Sequence, residues 1–299
     1  MKFLASATKE LSQEAFLRRF DRCLAFWTVP SGYFAWHLWR VHRIPYDVWV
    51  LGSDMYKYAR FPVLRSLTRT ILRNAALVMS DSQYLADMTS GFAGRPCPVV
   101  RSARDLPAWP RNNEGGGGRR VRFLYVGRLE REKGIDLLMD SMISLRKGTA
   151  GFSLDIVGFG RLKQSVERII KDNRLGDSIR LHESRGMEAN LEFMRRSDYL
   201  VIPSRQESLP LVLGEAVHSG LPILGSDLPD LAHLIRRFGI GLTFRRNDRI
   251  DLARKISYLS SNRMIHETFR KRICDMPSEA FSLDESIRAY QTLLFHGSC

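Results

Sequence analysis

The C-terminal part of the chain alternates short apolar runs with segments in which apolar residues recur at helical spacing. Residues 121–127 (VRFLYVG) form an apolar run that ends in glycine, and residues 135–147 carry apolar side chains three and four positions apart. The same pair of patterns recurs, with predicted strands over residues 152–160, 179–184, 198–204, 221–227 and 239–244. Strands that alternate with helices at this spacing predict an α/β domain with a parallel, doubly wound sheet.

The N-terminal part repeats this pattern over a shorter length. Residues 47–54 and 76–82 are predicted strands, and residues 61–75 between them are a predicted basic helix. Two or three strands do not complete an independent doubly wound sheet. We therefore expect a second α/β domain here that is incomplete.

A glycine-rich stretch separates the two parts. Residues 112–120 (NNEGGGGRR) contain four consecutive glycines, which is typical of a flexible linker. We predict a partial N-terminal domain over residues 1–111, a linker over 112–120, a C-terminal domain over 121–280 and a final helix within 281–299.

The charge balance narrows the classes of partner. The chain has 46 Lys plus Arg against 32 Asp plus Glu, a net charge of +14, which favours anionic partners. The sequence lacks an aromatic-interleaved basic strand and a recognition-helix motif, which argues against nucleic acid. Arg65, Arg69 and Arg73 recur every four positions on the predicted helix 61–75. This cationic face is either solvated or a contact with an anionic membrane surface.

The cysteines and the apolar runs bear on the cellular compartment. The four cysteines lie far apart without CxxC spacing, which predicts neither a zinc site nor a disulfide framework and favours reduced thiols. No apolar run reaches the ~20 residues needed to span a bilayer, and the N-terminus turns polar too soon for a signal peptide. We expect a cytoplasmic protein, with peripheral attachment to the inner face of the plasma membrane left open.

Two cations follow the first predicted strand of the C-terminal domain. Ligands of open α/β sheets bind at the carboxyl ends of the strands. That strand ends at Gly127 and Arg128, and Lys133 precedes the next predicted helix. An arginine and a lysine beside a helix N-terminus suit an anionic ligand. The alternative interpretation is that both are solvated cations.

Two glutamates lie in the otherwise apolar stretch PSRQESLPLVLGEAVHSGLPIL, residues 203–224. Glu207 falls in the turn after the predicted strand 198–204, and Glu215 falls in the first turns of the next helix. A buried carboxylate requires a partner or a ligand. The alternative is a helix cap and a residue on the wet face of the helix. Carboxylates accept hydrogen bonds from sugar hydroxyls and cations neutralise phosphate, so the four charged residues suit a nucleotide sugar.

These motifs together resemble the retaining glycosyltransferases of family 4, which have the GT-B fold. The resemblance is carried by VGRLEREKGIDLLMDSM, then GFG, then residues 198–224, then GIGLTFRRND, and the Glu-x7-Glu spacing of Glu207 and Glu215 is the signature of that family. It implies a GT-B-like fold of two Rossmann-like domains, the N-terminal one incomplete. Residues 121–280 would bind the nucleotide sugar, and the helix within 281–299 would cross back to the N-terminal domain.

The resemblance also implies a role for each site residue. Glu207 would hold hydroxyls of the donor sugar, while Arg128 and Lys133 would stabilise the departing diphosphate. The implied donor-binding positions are Gly127, Ser208, Leu209, Leu211 and Glu215, of which Glu215 would bind the ribose. The family generally needs no divalent cation, and the sequence has no metal-ligand spacing. We therefore expect no metal and no cofactor besides the nucleotide-diphosphate sugar, which is the donor substrate.

On the acceptor side the resemblance is partial. Residues 26–32, 44–54 and 80–88 resemble later segments of the family's acceptor domain, without the early βα unit that carries a glycine-rich loop, and Leu51 stands where the family often has histidine. The leading hypothesis is a hexosyltransferase that acts on a glycan or lipid-linked acceptor in polysaccharide or cell-surface glycan synthesis. The alternative is a truncated or inactive relative that binds a nucleotide sugar or a partner without turnover.

Overall fold

The structure of the protein is a computed structural model that describes residue 10 and residues 20–107, 120–145, 151–184, 186–277 and 281–296. The chain divides into two compact units, one formed by Met1–Ser102 with Asp284–Cys299 and the other by Ala103–Leu283. The predicted linker at 112–120 lies outside the described residues except for Arg120. The predicted domain boundaries at residues 111 and 280 lie outside them as well.

The smaller unit contains a parallel sheet of three strands in the order β1-β2-β3. The strands are β1 (Cys23–Phe26), β2 (Tyr46–Val50) and β3 (Leu77–Ser80). The helices between and after them are α1 (Tyr33–His42), α2 (Ser53–Tyr56), α3 (Pro62–Asn74) and α4 (Gln83–Ala93). The predicted strands over 47–54 and 76–82 and the predicted basic helix over 61–75 are confirmed. The pattern did not predict β1, a strand of four residues.

Helix α3 shows how the local sequence sets an element of this unit. Pro62 occupies the first helical position, where its missing N–H costs nothing, and Phe61 before it is extended. Ile71 and Leu72 are fully buried in the core of the unit, whereas the arginines of the helix are exposed. The helix therefore packs through one apolar stripe and presents a basic face to solvent.

The larger unit is built on a parallel sheet of six strands. In chain order these are β4 (Val121–Val126), β5 (Phe152–Val157), β6 (Ile179–His182), β7 (Tyr199–Ile202), β8 (Ile223–Ser226) and β9 (Gly241–Phe244). Their spatial order is β6-β5-β4-β7-β8-β9, and every neighbouring pair is parallel. All six predicted strands of the C-terminal domain are present.

Helices cover both faces of this sheet. They are α5 (Ile135–Leu145), α6 (Lys163–Asp172), α7 (Met187–Arg195), α8 (Leu211–His218), α9 (Pro229–Phe238), α10 (Arg249–Ser261) and α11 (Arg263–Cys274). Side chains of β4 alternate between two cores: Phe123 packs with residues of α5 and α10, and Leu124 packs with residues of α7, α8 and α9. Burial on both faces explains why the strands are continuous apolar runs.

The last helix, α12 (Leu283–His296), belongs to the smaller unit except for its first residue. Tyr290 on α12 donates a hydrogen bond to Asp47 of β2 at 3.0 Å, and Arg22 donates two to the same carboxylate at 2.6 and 2.7 Å. Asp47 is fully buried, so these donors replace its hydration. Within the described part of the chain, no helix is both long enough and apolar enough to span a bilayer.

The strand order locates the ligand site expected of this architecture. From β4 the chain builds outward on one side through β5 and β6, and on the other side through β7, β8 and β9. The order therefore reverses between β4 and β7, and crevices of this kind lie at the carboxyl ends of the two strands that flank such a reversal.

Candidate functional site

The loop after β4 carries the first two predicted site residues. Gly127 and Arg128 follow the strand directly, and the hydroxyl of Tyr125 donates a hydrogen bond to the carbonyl oxygen of Arg128 at 2.7 Å. This bond holds the backbone of the loop, while the Arg128 guanidinium is exposed. Lys133 ends a short 3₁₀ turn just before α5. Both cations therefore lie on the segment that joins the carboxyl end of β4 to α5.

This segment is in contact with the loop that follows β7. Gly134 adopts a left-handed backbone (φ 72°), and a Cβ at this position would lie 1.8 Å from the carbonyl oxygen of Pro203. The backbone N–H of Arg205 donates to the carbonyl oxygen of Glu132 at 2.8 Å. Only glycine permits so close an approach of the two loops.

A side-chain fork reinforces the same junction. The guanidinium of Arg205 donates to both carboxylate oxygens of Asp136, at 2.6 and 3.0 Å. Asp136 lies in the first turn of α5, where a carboxylate also interacts favourably with the helix dipole. Sequence reasoning did not identify this pair, because the two residues are 69 positions apart.

Lys133 and Glu207 meet across this junction. The ammonium of Lys133 donates to a carboxylate oxygen of Glu207, and their side chains are 26% and 13% exposed. The hydroxyl of Ser204 donates to the same oxygen at 3.2 Å, and Ser204 accepts at its carbonyl from Ser226 at 2.7 Å. Two of the predicted catalytic residues are therefore together, at the carboxyl ends of β4 and β7.

Glu215 is held differently. Its carboxylate accepts a hydrogen bond from the guanidinium of Arg104 at 2.8 Å, and its side chain is only 4% exposed. Burial raises the pKa of Glu215, and the charge of Arg104 acts in the opposite direction. The interpretation of Glu215 as a residue on a wet helix face is therefore wrong. Sequence reasoning did not identify Arg104, which lies 111 positions before Glu215.

The remaining predicted donor-binding residues flank the start of α8. Ser208 and Leu209 are buried, and Leu209 packs into the core formed with α7 and α9. Leu211 is the first residue of α8 and is half-buried. Because the side chain of Leu209 is committed to the core, its backbone is the part that a ligand would contact.

The loop after β5 borders the site on the other side of β4. A Cβ on Gly158 would lie 2.0 Å from the carbonyl oxygen of Gly127, and the N–H of Leu129 donates to the carbonyl oxygen of Phe159 at 2.7 Å. The Phe159 side chain is 66% exposed. Sequence reasoning used residues 158–160 only as the end of a predicted strand and as part of the family resemblance, and it passed over this aromatic ring. An aromatic residue between two glycines at a strand end was the available signal.

The described residues contain no group of three or more His, Cys, Asp and Glu side chains placed to hold a metal ion. Lys133 and Glu207 meet at the loop junction, Arg128 lies on the same segment as Lys133, and Arg104 pairs with Glu215 on α8. Such a set can neutralise phosphate and accept hydrogen bonds from hydroxyl groups.

Curated relatives of the chain are glycosyltransferases. It is 25% identical to the putative teichuronic acid biosynthesis glycosyltransferase TuaC of Bacillus subtilis over 225 residues, which cover 72% of this chain and 55% of TuaC. It is 28% identical to the uncharacterized glycosyltransferase MJ1178 of Methanocaldococcus jannaschii over 145 residues, which cover 48% of this chain and 40% of that protein. The chain thus matches about half of the length of these relatives.

Solved structures share the fold. A TarM variant of S. aureus in complex with fondaparinux, α-GlcNAc-glycerol and UDP superposes with a TM-score of 0.78 at 16% identity, covering 97% of this chain and 58% of TarM. The sucrose-phosphate synthase of Thermosynechococcus elongatus gives a TM-score of 0.76 at 19% identity, covering 99% of this chain and 78% of that one. These likenesses confirm the GT-B fold expected from the sequence.

The family follows from a match along the larger unit. Residues 111–274, more than half of the 299-residue chain, match the model described as Glycosyl transferases group 1. That stretch contains both loops of the site and all six strands of the larger sheet. The chain belongs to the glycosyl transferases group 1 family.

Proposed function

We propose that the chain is a retaining, metal-independent hexosyltransferase of family 4. It transfers a hexose from a nucleotide-diphosphate sugar to a glycan or lipid-linked acceptor in polysaccharide or cell-surface glycan synthesis. The observation that carries this proposal is the contact between Lys133 and Glu207 at the point where the strand order reverses. The contact supports the proposal because an ammonium is suited to phosphate and the carboxylate beside it is suited to sugar hydroxyls.

The donor satisfies both members of this ion pair. In the structure the ammonium of Lys133 and the carboxylate of Glu207 neutralise each other. A nucleotide sugar brings phosphate oxygens to the ammonium and sugar hydroxyls to the carboxylate. Each group therefore exchanges one complementary partner for another. Because both charges are already largely removed from water in the ion pair, donor binding adds little further desolvation cost.

The two cations then act on the leaving group. In the transfer, the bond between the anomeric carbon and the phosphate oxygen breaks, and negative charge develops on the diphosphate. Arg128, which is exposed, and Lys133 lie on the same segment after β4 and stabilise that charge. The acceptor hydroxyl forms the new bond on the face of the sugar that the diphosphate leaves, and its proton passes to the departing diphosphate oxygen.

The relatives support the donor class. TarM is solved with UDP, and a further structure with this fold, HepE of Anabaena, is solved with UDP and glucose. TuaC is a putative enzyme of teichuronic acid biosynthesis, which supports a role in polymer synthesis.

The test is a panel of UDP-, GDP- and ADP-sugars, scored by equilibrium binding and by slow hydrolysis of the donor. We expect one base to bind in preference and its sugar to be released slowly in the absence of an acceptor. Lys133→Ala and Arg128→Ala reduce turnover of that donor by about a hundredfold or more, because each removes a fixed charge at the leaving group.

Matched controls come from helix α6. Lys171→Ala and Arg168→Ala remove exposed cations of the same unit and leave turnover unchanged. Thermal unfolding of all four variants separates loss of function from loss of fold. Near-normal turnover in Lys133→Ala or Arg128→Ala contradicts the roles proposed for these residues.

A second candidate is a protein that binds the nucleotide sugar without turning it over. Leu51 favours it, since this position after β2 often holds histidine in the proteins that the sequence resembles. Binding of one nucleotide sugar without hydrolysis, and without transfer to any glycan acceptor, supports this candidate. If no member of the panel binds, both proposals fail.

A further inference from the structure

Two apolar side chains project into solvent at the start of helix α3. The side chain of Phe61 is 59% exposed and that of Val63 is 80% exposed. Both belong to residues 57–65, which connect α2 to the first turn of α3 and which we name the α3 corner. The two residues are two positions apart, so the start of the helix offers a small apolar surface to a partner.

The charge around these side chains has a single sign. Residues 55–80 contain five cations and neither aspartate nor glutamate, the cations being Lys57, Arg60, Arg65, Arg69 and Arg73. All five are exposed. The guanidinium groups of Arg65 and Arg69 lie 5.6 and 5.8 Å from the centre of the Phe92 ring, which fixes their positions.

The α3 corner is held firmly from within. The N–H of Phe61 donates to the carbonyl oxygen of Tyr58 at 3.1 Å, and the N–H of Arg65 donates to the carbonyl oxygen of Phe61 at 2.8 Å. Ile71 and Leu72, further along α3, are fully buried. The helix is therefore anchored through its inner stripe, and the exposed side chains of the corner are not a consequence of loose packing.

We propose that the α3 corner docks on an anionic lipid surface. An apolar side chain that enters the boundary between headgroups and acyl chains gains the free energy of burial, and neighbouring cations gain attraction to acidic headgroups. Charge complementarity selects an anionic surface. Nucleic acid would interact with the cations but would leave Phe61 and Val63 in water. An anionic lipid surface accounts for both the cations and the exposed apolar side chains.

The experiment measures binding of the purified full chain to vesicles. Phosphatidylcholine vesicles with phosphatidylglycerol are compared with vesicles of phosphatidylcholine alone, by co-sedimentation at low and at physiological salt. We expect binding to the anionic vesicles, weakened by salt because the ionic part is screened. Equal binding to both kinds of vesicle, or binding to neither, overturns the proposal.

Two sets of variants separate insertion from charge. Phe61→Ser combined with Val63→Ser weakens partitioning into anionic vesicles about tenfold or more. Arg60→Gln and Arg73→Gln each weaken it about fivefold. The matched controls are Met264→Ser and Arg254→Gln, which alter exposed residues of the larger unit and leave partitioning unchanged.

A third variant tests insertion through a gain of signal, the fluorescence of an added tryptophan. Phe61→Trp places an indole at the corner, and brominated lipid quenches the added fluorescence only if that side chain enters the acyl region. Quenching no greater than that of the wild-type chain overturns the proposal, as does a serine pair that binds as well as the wild type.

The outcome is independent of the donor chemistry. The α3 corner lies in the smaller unit, and Arg128, Lys133 and Glu207 lie in the larger one. A wild-type chain that hydrolyses the donor but does not bind anionic vesicles rejects the lipid surface alone. A wild-type chain that binds the vesicles but does not hydrolyse or transfer the donor rejects the transferase proposal alone.

Discussion

At the scale of single residues, the two glutamates of the Glu-x7-Glu spacing are stabilised by different cations. Glu207 contacts Lys133 and Ser204, and its side chain is 13% exposed. Glu215 contacts Arg104, and its side chain is 4% exposed. The two carboxylates thus differ in how much solvation they have lost, and this difference has a measurable consequence for Glu215.

Glu215→Gln tests the burial of that carboxylate. Because burial raises the pKa of Glu215, the folded chain holds its proton to higher pH than the unfolded chain does. The stability that this group contributes is therefore present below the unfolded pKa and is lost as the pH rises through the folded pKa. Glutamine cannot ionise, so the free energy of unfolding of the variant relative to wild type should increase as the pH rises above the unfolded pKa of a glutamate, about 4.3.

Denaturant unfolding at a series of pH values measures this difference. Glu188→Gln on α7 is the matched control. Glu188 is exposed, so its carboxylate is solvated in both the folded and the unfolded chain, and we expect its replacement to produce little change with pH. A relative stability of Glu215→Gln that stays flat with pH, or that falls as the pH rises, shows that the ion pair with Arg104 outweighs the desolvation of the carboxylate.

At the scale of elements, the site depends on the junction between the loops after β4 and β7. Three contacts join them: the approach of Gly134 to Pro203, the backbone bond from Arg205 to Glu132, and the fork between Arg205 and Asp136. Lys133 and Glu207 are neighbours because of this junction, since one lies on each loop. Separation of the loops would separate the two charged groups.

Gly134→Ala should therefore impair both stability and donor binding. The added Cβ would overlap the Pro203 carbonyl oxygen at 1.8 Å, and alanine would have to adopt φ 72°. We expect a loss of about 2 kcal/mol or more in the free energy of unfolding, together with weaker donor binding as the loops move apart. Chemical denaturation and donor titration of the same sample measure the two effects.

Two glycines separate the causes of that loss. Gly94 has almost the same φ, 71°, but a Cβ there meets nothing within 4 Å, so Gly94→Ala reports the backbone strain alone. Gly176 has open space and no such φ, so Gly176→Ala reports the bare substitution. If Gly134→Ala costs no more than Gly94→Ala, the loops yield easily and the junction is not what positions the site.

At the scale of the whole molecule, the larger unit contains a complete sheet with its own cores. Both faces of the six strands are covered by helices from the same stretch of chain, and the two clusters of buried side chains are formed by residues of Ala103–Leu283. The smaller unit has three strands and one main cluster. The two units therefore differ in how much apolar area each buries within itself.

A fragment of residues 103–283 should fold by itself. Both cores and the contacts of Lys133, Glu207, Arg104 and Glu215 remain within it, so we expect one cooperative unfolding transition. Donor affinity should stay close to that of the full chain, while transfer to an acceptor is lost. Circular dichroism and donor titration provide the measurements. A fragment that unfolds without cooperativity, or that binds no donor when the full chain does, contradicts this expectation.

The sequence alone determined the layout of the larger unit. A short continuous apolar run indicates a strand buried on both faces, and apolar residues at helical spacing indicate a helix with one buried stripe. All six strands were therefore predicted at positions that the structure confirms. The carboxyl end of each strand then followed, and with it the grouping of Lys133 with Glu207. The pattern did not predict β1, a strand of four residues of which only Ala25 is buried, or the separate helix α11.

Only the tertiary structure decided which charges meet and which apolar side chains stay in water. Arg104 pairs with Glu215 across 111 positions, and Arg205 pairs with Asp136 across 69. The chain has 46 lysines and arginines, and nothing in the local sequence distinguishes these two arginines from the rest. The exposure of Phe61 and Phe159 is likewise invisible in the sequence, where each appears as an ordinary apolar residue. The physical reason is range: side-chain periodicity depends on neighbours within about four positions, whereas ion pairing and burial depend on the order in which the strands assemble.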